Sequence, residues 1–234
     1  MLLNLIRSQG DIGTKIATAL FSIIIVVFSL TIHEVSHGLA ALALGDPTAK
    51  QRGRLTLNPL KHLNPLGTVM MLFFGFGYAE PVPINPNYFK HRKTGMAITA
   101  FAGPLSNLIL SFIAAIGLVS ITNASHSIVL HDGSIYYAQS ATGILMIIFM
   151  FFYYMHMMNL YLAIFNLIPV PPLDGSRILF IFLPAEKYFA VMKYERYIML
   201  GLIALIYVGV LDGPLRFITT SISSGMMNLI DLVI

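Results

Sequence analysis

Apolar residues run almost unbroken from position 16 to position 44, and further apolar runs follow at about 94–121, 137–168 and 197–211. Each of the first three exceeds the roughly 20 residues a helix needs to cross a bilayer. Length decides for helix here, because strands seldom exceed about 10 residues. The first run is about 44 Å long at 1.5 Å per residue, against a hydrocarbon core of about 30 Å, so it must tilt or protrude. Gly45, Asp46 and Pro47 end it: glycine can take a left-handed cap and proline cannot continue a helix. The tail, 215–234, is less apolar and rich in Ser and Thr; it either spans or lies in the interface.

The segment between the first two runs is of another kind. Its apolar middle, 69–78, is too short to cross and carries Gly75, Phe76 and Gly77, so a re-entrant or interfacial course fits it. Pro81, Val82, Pro83, Ile84 and Asn85 cannot form a helix. Proline at alternate positions suits an extended edge strand, which can accept a peptide as one more strand; a structured loop without that role fits equally. The expected fold is therefore an all-α polytopic membrane protein with about four to six spans and a re-entrant or extended β segment between the first two core helices. One integral-membrane domain, 1–234, is expected, with a core at 16–183 and C-terminal helices at 188–234.

Composition agrees: 57% of residues are hydrophobic and 10% charged, with a mean hydropathy of +0.80, which excludes an ordinary soluble domain. The absence of Cys rules out disulfides and thiolate metal sites, leaving His, Asp and Glu as ligands. A net charge of +4 is too small to argue for nucleic acid. Seven of the 14 Lys and Arg lie in 50–93 and four in 169–196, with none in 122–137. The positive-inside rule then puts the first two loops in the cytoplasm. The plasma membrane is the expected location.

Within the first run stands His33-Glu34-Val35-Ser36-His37. Positions i and i+4 share a helix face, so both imidazoles address one point and Glu34 lies beside it, where a carboxylate can take a proton from water. With 7 His in the chain, random placement gives such an HExxH in about 0.4% of sequences of this composition. Ionisable groups at membrane depth cost about 2.5–3.5 kcal/mol each on insertion scales, and a metal is the simplest compensation for three together. His37 precedes Gly45 by about 12 Å of helix, which puts the site in the bilayer near its cytoplasmic side. A zinc site needs a third ligand. Asp174, after Pro169, Pro171 and Pro172, is the best candidate, although capping a helix with Gly175 in the turn explains it equally well. Asn107 and Asn166 lie on predicted spans, suited to interhelical hydrogen bonds or to binding a substrate backbone or oxyanion. His156, among Met155, Met157 and Met158, fits a hydrogen-bonded pair with Asn159 better than a copper path.

HEVSHGLAALALGD, FAGPLSN and NLIPVPPLDGSRIL, in this order over residues 16–183, together resemble the site-2 protease family of intramembrane zinc metalloproteases. GRLTLNPLKHLNPLGT and PVPIN resemble its compact members, which lack PDZ and nucleotide-sensing domains. Asn64 and Glu80 stand where those members often have Asp and Lys, so this loop lends no metal role to His62. The resemblance implies one Zn2+ per chain on His33, His37 and Asp174, Glu34 as general base and Asn166 at the substrate or oxyanion. It implies a transmembrane protein substrate in the lipid bilayer. The rival readings are a membrane metal-ion transporter, in which Glu34 is dispensable, and a non-catalytic binder of membrane segments, against which the intact motif argues.

Overall fold

A computed structural model describes residues 12–65, 67, 79–125, 128–131, 134–137 and 143–234. The expected re-entrant stretch 69–78 lies outside the described residues. Helix α1, Ile12–Ala43, is followed by the short α2, Thr48–Gln51, and by single 3-10 turns at Pro59–Lys61 and Pro86–Tyr88. Helix α3 is Arg92–Ser125, and an antiparallel hairpin pairs β1, Ile128–His131, with β2, Ser134–Tyr137. Then come α4, Gly143–Asn166; α5, Asp174–Leu179; α6, Ala185–Met192; α7, Glu195–Val208; and α8, Asp212–Asp231. Among the described residues three helices are long and apolar enough to cross a membrane, in α1, α3 and α4. A fourth results if α7 and α8, bent by 79° at their junction, count as one span.

One expectation changes. Residues 81–85 form no strand; the pairing nearest them is a single bridge between Leu63 and Ala79. Pro81 and Pro83 have no N–H to give a ladder, and the N–H groups of Val82 and Asn85 go to side-chain carboxylates. Paired β structure lies instead at Ile128–His131 and Ser134–Tyr137, in the loop that carries no Lys or Arg. Helix α3 runs from Arg92 to Ser125 with Pro104 inside it, as the single apolar run 94–121 leads one to expect.

The chain divides into two compact units, 1–106 and 107–234. In the first, α1 takes close neighbours along one face where small residues allow it. A Cβ at Gly38 would lie 2.5 Å from Leu55 Cδ2, 3.2 Å from Val82 Cγ1 and 3.3 Å from the Ala49 methyl. Phe89, buried, packs onto Gly95 of α3 in the same way, its ring 2.5 Å from where a Cβ would be. Gly45, at φ +100°, takes the left-handed conformation that ends α1.

In the second unit, α3, α4 and α8 share apolar contacts: Leu118 with Phe149, Ala115 and Val119 with Ile230, and Leu160 and Ile164 with Leu215. Polar groups buried between these helices are matched across them. Asn107 Nδ2 donates to Asn159 Oδ1 at 3.0 Å, and His156 lies 2.9 Å from Ser111 Oγ and 2.8 Å from Ser223 Oγ. His156 and Asn159 thus bond to separate partners on other helices and not to each other as a pair. This is the interhelical use of polar side chains usual at membrane depth.

Candidate metal centre

Helix α1 brings His33 and His37 together as the i, i+4 spacing demands: their Nε2 atoms are 3.0 Å apart and their rings meet edge to face, with both residues buried. His37 Nδ1 lies 2.7 Å from the carbonyl oxygen of Thr99 on α3. A backbone carbonyl only accepts, so Nδ1 carries the proton and donates, leaving the Nε2 lone pair directed at His33. This arrangement orients metal-bound histidines generally. Two nitrogens each about 2.05 Å from a tetrahedral zinc would be about 3.3 Å apart, close to the spacing here. The pair fits zinc.

Room for these rings comes from Gly103. A Cβ there would sit 2.4 Å from His37 Nε2, 2.5 Å from His37 Cε1 and 2.6 Å from His33 Cε1. The glycine of FAGPLSN is therefore a steric requirement of the histidine pair. Gly103→Ala must displace one imidazole or separate α1 from α3, and overpacking of this kind costs about 1–3 kcal/mol. Zinc affinity is expected to fall about 5- to 150-fold, measured by competition with a chelator, while an alanine at the exposed Gly143 should leave it unchanged.

Glu34, half-buried beside the pair, accepts a hydrogen bond through Oε2 from the backbone N–H of Val82 at 3.0 Å. Of the predicted segment Pro81, Val82, Pro83, Ile84 and Asn85, Val82 is thus brought to the base, and its side chain is buried against α1. Arg54 holds the start of the segment by donating to the carbonyls of Glu80 and, at 3.4 Å, Pro81. At the other end, Asp46 Oδ2 accepts from Asn85 N–H at 2.6 Å. Burial pushes the Asp46 carboxyl up, but hydrogen bonds from the Thr48 hydroxyl and from the Asn85 and Thr48 N–H groups bring it below the usual carboxylate value. Asp46 is therefore ionised at neutral pH.

The other predicted residues lie in the second unit. Asp174 is the first residue of α5, half-buried, and the turn that carries it depends on Gly175. A Cβ at Gly175 would meet the carbonyl oxygens of Leu167 at 2.3 Å and Ile168 at 2.5 Å, so only glycine lets the Leu173-Asp174-Gly175 turn lie against the end of α4. Asn166, in the last turn of α4, donates one amide hydrogen to Leu162 O at 3.0 Å, which leaves its second N–H and its carbonyl oxygen for other partners. Asn107 is fully buried and engaged with Asn159. His62 is buried too, its Nε2 2.8 Å from Thr56 O. Donors of the kind zinc takes are thus His33 and His37 in the first unit and Asp174 in the second. Gly38, Asp46, Thr99 and Gly103 were not expected at the site; only HExxH spacing, which puts Gly38 one turn after Glu34, hints at any of them.

The sequence model of peptidase family M50 matches residues 21–213. YwhC of Bacillus subtilis (strain 168) is 42% identical over 160 residues, 68% of this chain and 67% of that protein. Rip2 of Mycolicibacterium smegmatis is 30% identical over 155 residues, 64% of this chain and 52% of its own. MJ0611 of Methanocaldococcus jannaschii is 31% identical over 116 residues, 49% of each chain. The names of all three call them zinc metalloproteases, as an attribution and not as a demonstrated activity. No solved structure matches the chain.

Proposed function

We propose, from the premise that this chain belongs to peptidase family M50 and is an integral-membrane zinc metalloprotease, that it hydrolyses peptide bonds within or next to transmembrane segments of membrane-anchored proteins. The observation that carries this reading is the HExxH pair of buried, converging imidazoles, with its carboxylate, on a helix long and apolar enough to span. A hydrolytic centre at that depth can reach only substrates that are themselves in the membrane.

One Zn2+ per chain is held by His33, His37 and Asp174, the three side chains suited to it, and residues 1–234 act as a single catalytic domain. Zinc, when bound, supplies Lewis acidity that polarises the scissile carbonyl and acidifies water. Glu34 takes the proton from the attacking water and passes it to the leaving amine. Asn166, with an amide hydrogen to spare, donates to the substrate carbonyl as charge develops on its oxygen; Asn107 serves the helix packing. A helical substrate hides its scissile carbonyl, so it must unwind locally. Backbone groups of 81–85 not used by Glu34 and Asp46 then hold the unwound strand. Purified protein in vesicles should cleave a single-span substrate, stop on addition of a chelator and recover with Zn2+. Failure to cleave any spanning substrate with zinc bound would favour the metal-ion transporter.

The cytoplasmic orientation, with the plasma membrane as host, rests on the loop charges. The chain has no Cys, so a cysteine placed at Lys61 should label from the cytoplasm and one at His131 only from the opposite side. Labelling of position 131 from the cytoplasm alone would reverse the assignment.

A further inference from the structure

Asp46 has no part in the chemistry above, yet its carboxylate is completely buried. It accepts three hydrogen bonds: from the Thr48 N–H at 2.9 Å, from the Thr48 hydroxyl, and through Oδ2 from the Asn85 N–H at 2.6 Å. Further back along α1, Glu34 Oε2 accepts the Val82 N–H at 3.0 Å. The stretch between these two amides is three peptide units long and contains Pro83, which has no N–H. The Val82 side chain, 6% exposed, lies over Gly38, one helical turn from Glu34. The segment is thus fixed at two carboxylates, Glu34 on α1 and Asp46 in the turn after it, with a side chain seated between them.

A carboxylate on a flexible side chain must be oriented before it can act as a base, and displacement of about 1 Å can cost about 10²-fold in rate. An amide donor on one oxygen supplies that orientation and leaves the second oxygen free. We propose that Asp46 is a positioning residue for Glu34: by holding the Asn85 end of the segment it keeps the Val82 N–H on Glu34 Oε2, so that Oε1 faces the reacting water. The inference rests on Glu34 being the general base.

The test uses the full-length, zinc-loaded chain and reads kcat, KM, zinc content and amide hydrogen exchange at Val82 and Asn85. Asp46→Ala is expected to keep zinc, to lose about 10- to 100-fold in kcat with KM within about 3-fold, and to speed exchange at both amides. Arg54 still holds the start of the segment, which is why KM changes little. Asp46→Asn, with one acceptor oxygen in place of two, should fall between wild type and Asp46→Ala in kcat and in Val82 exchange. Val82→Pro removes the donor, along with the side chain over Gly38, and should reproduce at least the loss in kcat. The Asp46→Ala, Val82→Pro double variant should be no slower than the worse single one, because both act through the same hydrogen bond. Faster exchange at Asn85 alone with wild-type kcat, or losses that multiply in the double variant, would overturn the inference. If Asp46→Ala does not fold, wild-type kcat and Val82 exchange in Asp46→Asn overturn it equally. Normal cleavage by Glu34→Gln would instead remove the base assignment, whereas an inactive Glu34→Gln beside an unaffected Asp46→Ala removes only the role of Asp46.

Discussion

Glu34→Gln is expected to keep its zinc and lose its turnover. The amide matches the carboxylate in shape, and its carbonyl oxygen can still accept the Val82 N–H that Glu34 Oε2 accepts now. Helix α1, the His33 and His37 contacts and the seat of Val82 on Gly38 involve no charge on residue 34. The function lost is acceptance of a proton from water, and general-base catalysis of this kind is worth about 10² to 10⁴ in rate. Zinc content should stay near one per chain while kcat falls by at least that factor. Uncleaved substrate should remain bound. Normal cleavage would remove the hydrolytic assignment and strengthen the transporter, whose ion path needs ligands but no base.

Loss of a ligand has the opposite signature. His33→Ala, His37→Ala and Asp174→Ala each delete one donor from the proposed three-ligand set, and the binding energy of zinc would depend on the complete set. The zinc-to-protein ratio is expected to fall from about one to below about 0.1 after dialysis, with activity lost in parallel. For His37 a second effect adds: its ring also donates to Thr99 O, so removing it takes away a hydrogen bond that ties α1 to α3. Asp174→Ala tests the third ligand by itself, because the HExxH pair on α1 is left intact. Full zinc in Asp174→Ala would mean the third ligand lies elsewhere, and Glu80 would be next to examine.

Helices α1, α3 and α4 were legible as long apolar runs because the bilayer fixes a minimum length that sequence displays directly. The convergence of His33 and His37 was legible because helical spacing alone produces it. What could not be read is what depends on two elements meeting. Gly103 stands inside the apolar run 94–121 with nothing local to mark it, yet its missing side chain is the space the imidazoles fill. Gly175 looked like a turn residue, and the reason is the close approach of the α4 carbonyls. Asp46 read as part of a stop signal at the end of α1, because nothing local shows that Asn85, 39 residues on, will donate to it.

The β assignments went astray for a related reason. Alternate prolines marked 81–85 as extended but could not say that its amides would bond to Glu34 and Asp46. The hairpin at 128–137 did carry a local signal: Asp132 and Gly133 separate two short runs of branched and aromatic residues, the usual mark of a two-residue turn.

The central claim is that this chain hydrolyses a peptide bond inside a membrane segment, and the most direct test is mass spectrometry of the products formed from a single-span substrate in vesicles prepared in H2 18O. Hydrolysis at the His33, His37 and Asp174 centre predicts a new carboxyl terminus within or at the edge of the apolar segment, carrying one 18O from solvent, in wild type and not in Glu34→Gln. Cleavage confined to soluble loops, or the same products from Glu34→Gln, would contradict it.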